Sequence, residues 1–297
     1  MYQVNKKGYN KYYSFILSFL LIITYLAILL PFPACSNKKT NAVVIPEEQL
    51  VDIGGKRLHL KCNGEGSPTV ILDAGGGRST NDWLAIQPEV AKLTRVCSYD
   101  RLGIGKSDAA VSTRTSQTIV DDLNNLLIKA NINGPYVLVG HSLGGINIRL
   151  YASQHPENVV GMVLVDSSHE EQDIKSNSIL PAESVKKQEE LLSRNPERVD
   201  IKTSLAQARA AHWKQDIPLI VITAGLPPKS PGGPLGLTDE QFGKMNQLWQ
   251  ELQKELVTRS SQGKQIIAEK SGHFIQKDQP ELVISAIREV VETAHKK

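Results

Sequence analysis

Only three cysteines occur in 297 residues, and no two of them form a CxxC pair. That excludes a zinc ribbon and a CxxC redox centre. The histidines do not compensate. His59, His155, His169, His212 and His295 are scattered without metal-ligand spacing, so no metal site is expected. Charge of one sign is also scarce. The formal +3 is matched by Lys6, Lys7 and Lys11, the only charged side chains before Lys38. The remainder is neutral, which leaves nothing to attract nucleic acid. There is no internal repeat and no low-complexity segment. A phosphate-binding loop is missing too: Gly105-Lys106-Ser107 ends like one, but Asp100 stands where its first glycine belongs.

What is present is a globular composition, 40% apolar and 22% charged, in a length suited to one large domain or two ordinary ones. Residues 14–32 carry no charge and follow a lysine-bearing head. This reads as an export signal or a membrane anchor with the body of the chain outside. Ala34 before Cys35 resembles a bacterial lipoprotein cleavage site, although Phe32 and Pro33 depart from that pattern. A lipid on Cys35 and an uncleaved span both remain open. Cys62 and Cys97 are then left as a pair, either a disulfide permitted outside the cytoplasm or two buried thiols.

The chain is organised around Gly140-His141-Ser142-Leu143-Gly144. An apolar run, Tyr136-Val137-Leu138-Val139, precedes it, and a helical pattern follows. A strand, a G-x-S-x-G turn and a helix make a nucleophile elbow, which presents its serine at a strand's carboxyl end. Further strands are expected at 49–53, 56–62, 69–72, 95–99, 159–165, 217–223 and 264–269. Helices are expected around 81–93, at 115–130 and at 238–261, and after Asp278-Gln279-Pro280, where Asp278 reads as a cap. Strands alternating with helices predict an α/β fold with a mostly parallel sheet and helices on both faces. Such sheets place their sites at the carboxyl ends of strands.

Those ends carry usable chemistry. Serine needs a base, and the base needs an orienting acid. Ser142 is the candidate nucleophile and His273, in a Ser-Gly-His loop, the candidate base. Asp166, ending strand 159–165, is the candidate acid; Asp239 is the alternative, although it looks like a helix cap. His141 reads as structural. Oxyanion donors are expected from the backbone of Leu143 and from Gly76 in Gly75-Gly76-Gly77. Gly77 and His169 are the candidate substrate contacts.

Together these residues resemble the alpha/beta-hydrolase-fold serine hydrolases. The resemblance rests on Ala74-Gly75-Gly76-Gly77, on Tyr99-Asp100-Arg101-x-Gly103-x-Gly105-x-Ser107-Asp108, on Gly140-x-Ser142-x-Gly144 and on Gly272-His273-Phe274. It implies an eight-stranded sheet with a small helical cap and a Ser142–His273–acid triad. It implies no cofactor and a small acyl substrate, cleaved as an ester, thioester, lactone or amide. Serine at the elbow disfavours epoxide or haloalkane chemistry, which uses aspartate there. Two departures stand out: Ala74 replaces a common histidine, and the usual acid position after the seventh strand is empty. The expected organisation is a signal or anchor at 1–35, a tether at 36–48, a core at 49–168 and 216–297, and a cap at 169–215. The cap is polar and poor in aromatics, which points away from long-chain lipids. A ligand-binding or sensor protein on the same fold, or an acyltransferase, is the rival reading.

Overall fold

The computed structural model describes residues 48–227 and 235–295. The expected leader, Cys35 and nearly all of the tether lie outside the described residues. Among the described residues no helix is long and apolar enough to cross a membrane.

The five residues of β3 (Thr69–Asp73) are all buried, because this strand is covered on both faces. The same holds for β4 (Val96–Tyr99), β5 (Tyr136–His141) and β7 (Leu219–Ala224), and nearly so for β6 (Val159–Val165). β1 (Glu48–Asp52) and β2 (Arg57–Asn63) form a hairpin turned at Gly54-Gly55, whose N–H groups both donate to the Asp52 carboxylate at 2.8 Å. β8 (Gly263–Ala268) closes the other edge. The eight strands run β1-β2-β4-β3-β5-β6-β7-β8; the β1–β2 and β2–β4 pairs are antiparallel and every other pair is parallel. The order reverses around β3, which lies between β4 and β5. A crevice therefore opens beyond the carboxyl ends of β3 and β5. Cys62 and Cys97 face each other in register across β2 and β4 and are joined as a disulfide.

The helix expected around 81–93 is broken. A 3-10 turn at Thr80–Trp83, capped by Ser79, is followed by α1 (Gln87–Val90). Pro88 has no N–H to continue a longer helix and sits in the first turn of the short one. Leu84, just after the 3-10 turn, is exposed. α2 (Ser116–Lys129) starts at a Thr115 capping box and buries Ile119, Leu123, Leu126 and Leu127. α3 (Leu143–Gln154) follows the elbow and is buried along most of its length. Three helices come after β6, in the stretch expected to form a cap: α4 (Gln172–Asn177), α5 (Ala182–Ser193) and α6 (Ile201–Ala211). α7 (Asp239–Val257) begins at a second capping box, Thr238 with Gln241. Asp239 is thus an exposed first-turn residue. α8 (Ile275–Asp278) and α9 (Pro280–Ala294) end the fold. Asp278 does not cap the last helix as expected. Gln279 holds the cap position, and the Asp278 carboxylate accepts from the Ser271 hydroxyl at 3.0 Å.

Candidate active site

The elbow is too tight for side chains. A Cβ on Gly144 would overlap the Asp73 carbonyl oxygen, and one on Gly145 would overlap the Ser167 hydroxyl. Ser142, just ahead of them on the turn, has φ 51° and ψ −118°, a conformation costly for any residue but glycine. Hydrogen bonds hold it there. Its N–H donates to Val165 at 3.3 Å, and its carbonyl accepts from Gly145 at 3.0 Å and Ser168 at 3.1 Å.

Three distant segments converge on this turn. Asp166 follows β6 and is buried. Its Oδ2 accepts from His273 Nδ1 at 2.6 Å, and its Oδ1 accepts from the Ala224 N–H at 3.0 Å and the Trp249 indole at 2.9 Å. Donation from Nδ1 leaves Nε2 of His273 as the basic nitrogen. His273 lies against Trp249 and Phe274, with ring centroids 6.0 and 5.4 Å away. Ser142, His273, Asp166, Gly76 and Leu143 all line one cavity of about 480 Å³. Leu143 is the first residue of α3, where its N–H has no intrahelical acceptor. Among the described residues the Gly76 N–H meets no acceptor either.

Two expected contacts are not at the cavity. His169 is completely buried, and its Nδ1 accepts from the Glu171 N–H at 3.0 Å. The segment turns back under α7 at this point, which shuts the imidazole off from substrate. Gly77 does not line the cavity, and its N–H donates to Glu197 Oε1 at 2.5 Å. Asp239 is exposed in the first turn of α7, while Asp166 holds the His273 ring.

Other residues at the site gave little sign in the sequence. Trp249 reaches the Asp166 carboxylate from the middle of a polar helix. His141 donates from Nε2 to the His273 carbonyl at 2.8 Å, tying the base's loop to the elbow. Arg101 donates to the carbonyls of Ala74 at 2.7 Å and Gly75 at 2.6 Å, and pairs with Asp73 and Glu197, all fully or almost fully buried. Burial alone would pull the Arg101 guanidinium down, but Glu197 and Asp73 hold it well above its ordinary value. Burial pushes the Asp73 carboxyl up, against the pull of Arg101.

Burial, reinforced by His273, pushes the His141 imidazole down to about 3. Burial likewise pushes His169 down to about 4. Both rings are neutral when folded and gain protons below about 6.5 when unfolded. Their contribution to stability is therefore complete above pH 6.5 and lost as pH falls towards the folded values. His59 has the opposite sign, because its hydrogen bond to Asp100 raises it. Its contribution is complete below pH 6.5 and is not lost on acidification. Denaturant melts at pH 7.5 and 5.0 should differ by about 2 kcal/mol for each of the two lowered histidines. His169→Phe should reduce the loss of stability between pH 7.5 and 5.0 by about 2 kcal/mol, and an unchanged loss would refute its share.

Residues 68–286 match the family model described as the alpha/beta hydrolase fold. The chain belongs to that family. An uncharacterized Bacillus subtilis protein, YqjL, is 29% identical over 246 residues, covering 82% of this chain and 91% of its own. A 2-hydroxy-6-oxo-6-(2'-aminophenyl)hexa-2,4-dienoic acid hydrolase from Metapseudomonas resinovorans is 29% identical over 135 residues, 45% of this chain and 46% of that one. Among solved structures, mouse alpha/beta hydrolase domain-containing protein 10 superposes with TM-score 0.61 at 18% identity, covering 82% of this chain and 98% of its own. The enol-lactonase from Burkholderia xenovorans superposes with TM-score 0.57 at 15% identity, covering 82% and 100%. These two structural likenesses speak for the fold.

Proposed function

We propose that this chain is a serine hydrolase that cleaves carboxylic esters through an acyl-Ser142 intermediate. The observation that carries the reading is the 2.6 Å bond between Asp166 and His273 at the rim of the cavity that also holds Ser142. Ser142 Oγ attacks the ester carbonyl as its proton passes to His273 Nε2. The Gly76 and Leu143 N–H groups receive the developing oxyanion. Collapse breaks the C–O bond, and the alkoxide leaves with the proton from His273. Water then attacks the acyl-enzyme, giving its proton to His273, and Ser142 is released as the acid departs. A fluorophosphonate probe should label the protein at Ser142; a folded protein that resists labelling would overturn the reading.

Substrate length follows from the walls. A second chamber of about 650 Å³ shares Leu192, Ile201, Leu205, Met245 and Trp249 with the first. The cap is polar in composition, yet Leu192, Ile201 and Leu205 line these chambers from it, with Met245 and Trp249 opposite on α7. An ester with a linear apolar arm suits this space. Each buried methylene contributes ~0.8 kcal/mol, about fourfold in kcat/KM. From p-nitrophenyl acetate to octanoate kcat/KM should therefore climb steadily, whereas a flat or falling series would assign a small substrate.

The body of the protein is proposed to act outside the cell membrane, held by its N-terminal segment. The Cys62–Cys97 disulfide suits an oxidising compartment. Mass spectrometry of the mature N-terminus distinguishes a lipidated Cys35 from an uncleaved span.

A further inference from the structure

The strip Gly75-Gly76-Gly77 has no side chains with which to fix itself. Whatever places the Gly76 N–H must act on the backbone around it. Arg101 holds the carbonyls of Ala74 and Gly75. Glu197, from the loop between α5 and α6, takes the Gly77 N–H at 2.5 Å. The same carboxylate receives Arg101 Nε at 2.6 Å and Nη2 at 2.9 Å. Glu197 is fully buried, so these donors replace its water. Its own segment is stitched to the core: Arg114 N–H donates to Arg198, and Asp200 N–H donates back to Arg114. The glycine strip is therefore pinned on both sides of Gly76, and one of the two pins belongs to the cap.

We infer that Glu197 is a positioning residue for the oxyanion donors, through which the cap sets the place of the Gly76 N–H. This rests on the serine hydrolase reading above. Glu197→Gln puts an amide N–H against an Arg101 donor whichever way it faces, so the Arg101–Glu197 half of the pin is lost with little change in volume. Glu197→Asp keeps the charge pair but withdraws the carboxylate from the Gly77 N–H.

Either variant should lower kcat on p-nitrophenyl butyrate by about 10²-fold, with KM changed by no more than about threefold. Affinity for an alkyl boronic acid, which forms a tetrahedral adduct, should fall in step with kcat. Amide exchange of the peptide spanning 73–79 should accelerate. A folded variant with wild-type kcat, boronate affinity and exchange overturns the inference. So does a loss confined to the unfolded fraction measured by thermal melting. If Glu197→Gln does not fold, Glu197→Asp carries the test. Wild-type protein that labels with fluorophosphonate while the variants behave as wild type sinks this role alone. Wild-type protein that neither labels nor turns over sinks the hydrolase reading, and the exchange measurement still decides whether Glu197 holds the strip.

Discussion

Ser142→Ala should abolish turnover of p-nitrophenyl butyrate, with a fall in kcat of at least about 10⁴-fold. Three features of the site set that size. Ser142 is the hydroxyl on the strained turn, its backbone φ of 51° is maintained by three hydrogen bonds, and it opens onto the cavity that His273 also lines. Alanine removes the attacking oxygen and leaves the rest intact. The oxyanion donors and the cavity would still bind the ester, so KM should move little. Fluorophosphonate labelling should vanish in parallel. Stability should not suffer, because a smaller side chain at the turn creates no new clash. Residual turnover within tenfold of wild type would remove Ser142 from the mechanism.

Asp166→Asn should cost about 10⁴-fold in kcat. The carboxylate has two jobs on two oxygens. Oδ1 is occupied by Ala224 and Trp249, both donors. An asparagine must therefore keep its carbonyl on that side, which turns its NH₂ towards His273 Nδ1. Two donors cannot face each other, so the imidazole moves its proton to Nε2 or swings away. Either outcome takes the base from Ser142. Trp249 and the Ala224 N–H together determine which way the amide faces, and a Trp249→Phe background should soften the Asp166→Asn defect by removing one of the two donors that oppose the flip. An Asp166→Asn enzyme with near-normal kcat would transfer the acid's role elsewhere.

Much of this site was legible in the chain because each element announces itself locally. Gly140, Ser142 and Gly144 lie between a buried strand and a helix. Asp166 ends an unbroken apolar strand, and His273 follows another. Asp239 stayed open beside Asp166 in the sequence, and it was the folded helix start, with Thr238 and Gln241 in a capping box, that set it apart. What was hidden depends on contacts between distant segments. Glu197 meets Arg101 across 96 positions, and nothing in a charge-rich stretch marks one glutamate as buried. Trp249 is one of two aromatics, with Phe242, in a polar helix, and only the fold shows that its indole reaches Asp166. His169 failed as a substrate contact for the converse reason. Proximity along the chain to Asp166 said nothing of the turn that carries it under α7. The helix around 81–93 failed at Pro88, where apolar spacing continued past a residue unable to donate.

The acid stands after β6, with Ala224 at the end of β7 serving it only through a backbone N–H. Among its described residues the connection from β7 to α7 contributes no proton-transfer group, although Leu226 on it faces the cavity. Insertions, deletions or grafted recognition loops at that junction would retune selectivity while leaving the reaction centre untouched, which makes it the natural place for lineages to diverge and for an engineer to begin.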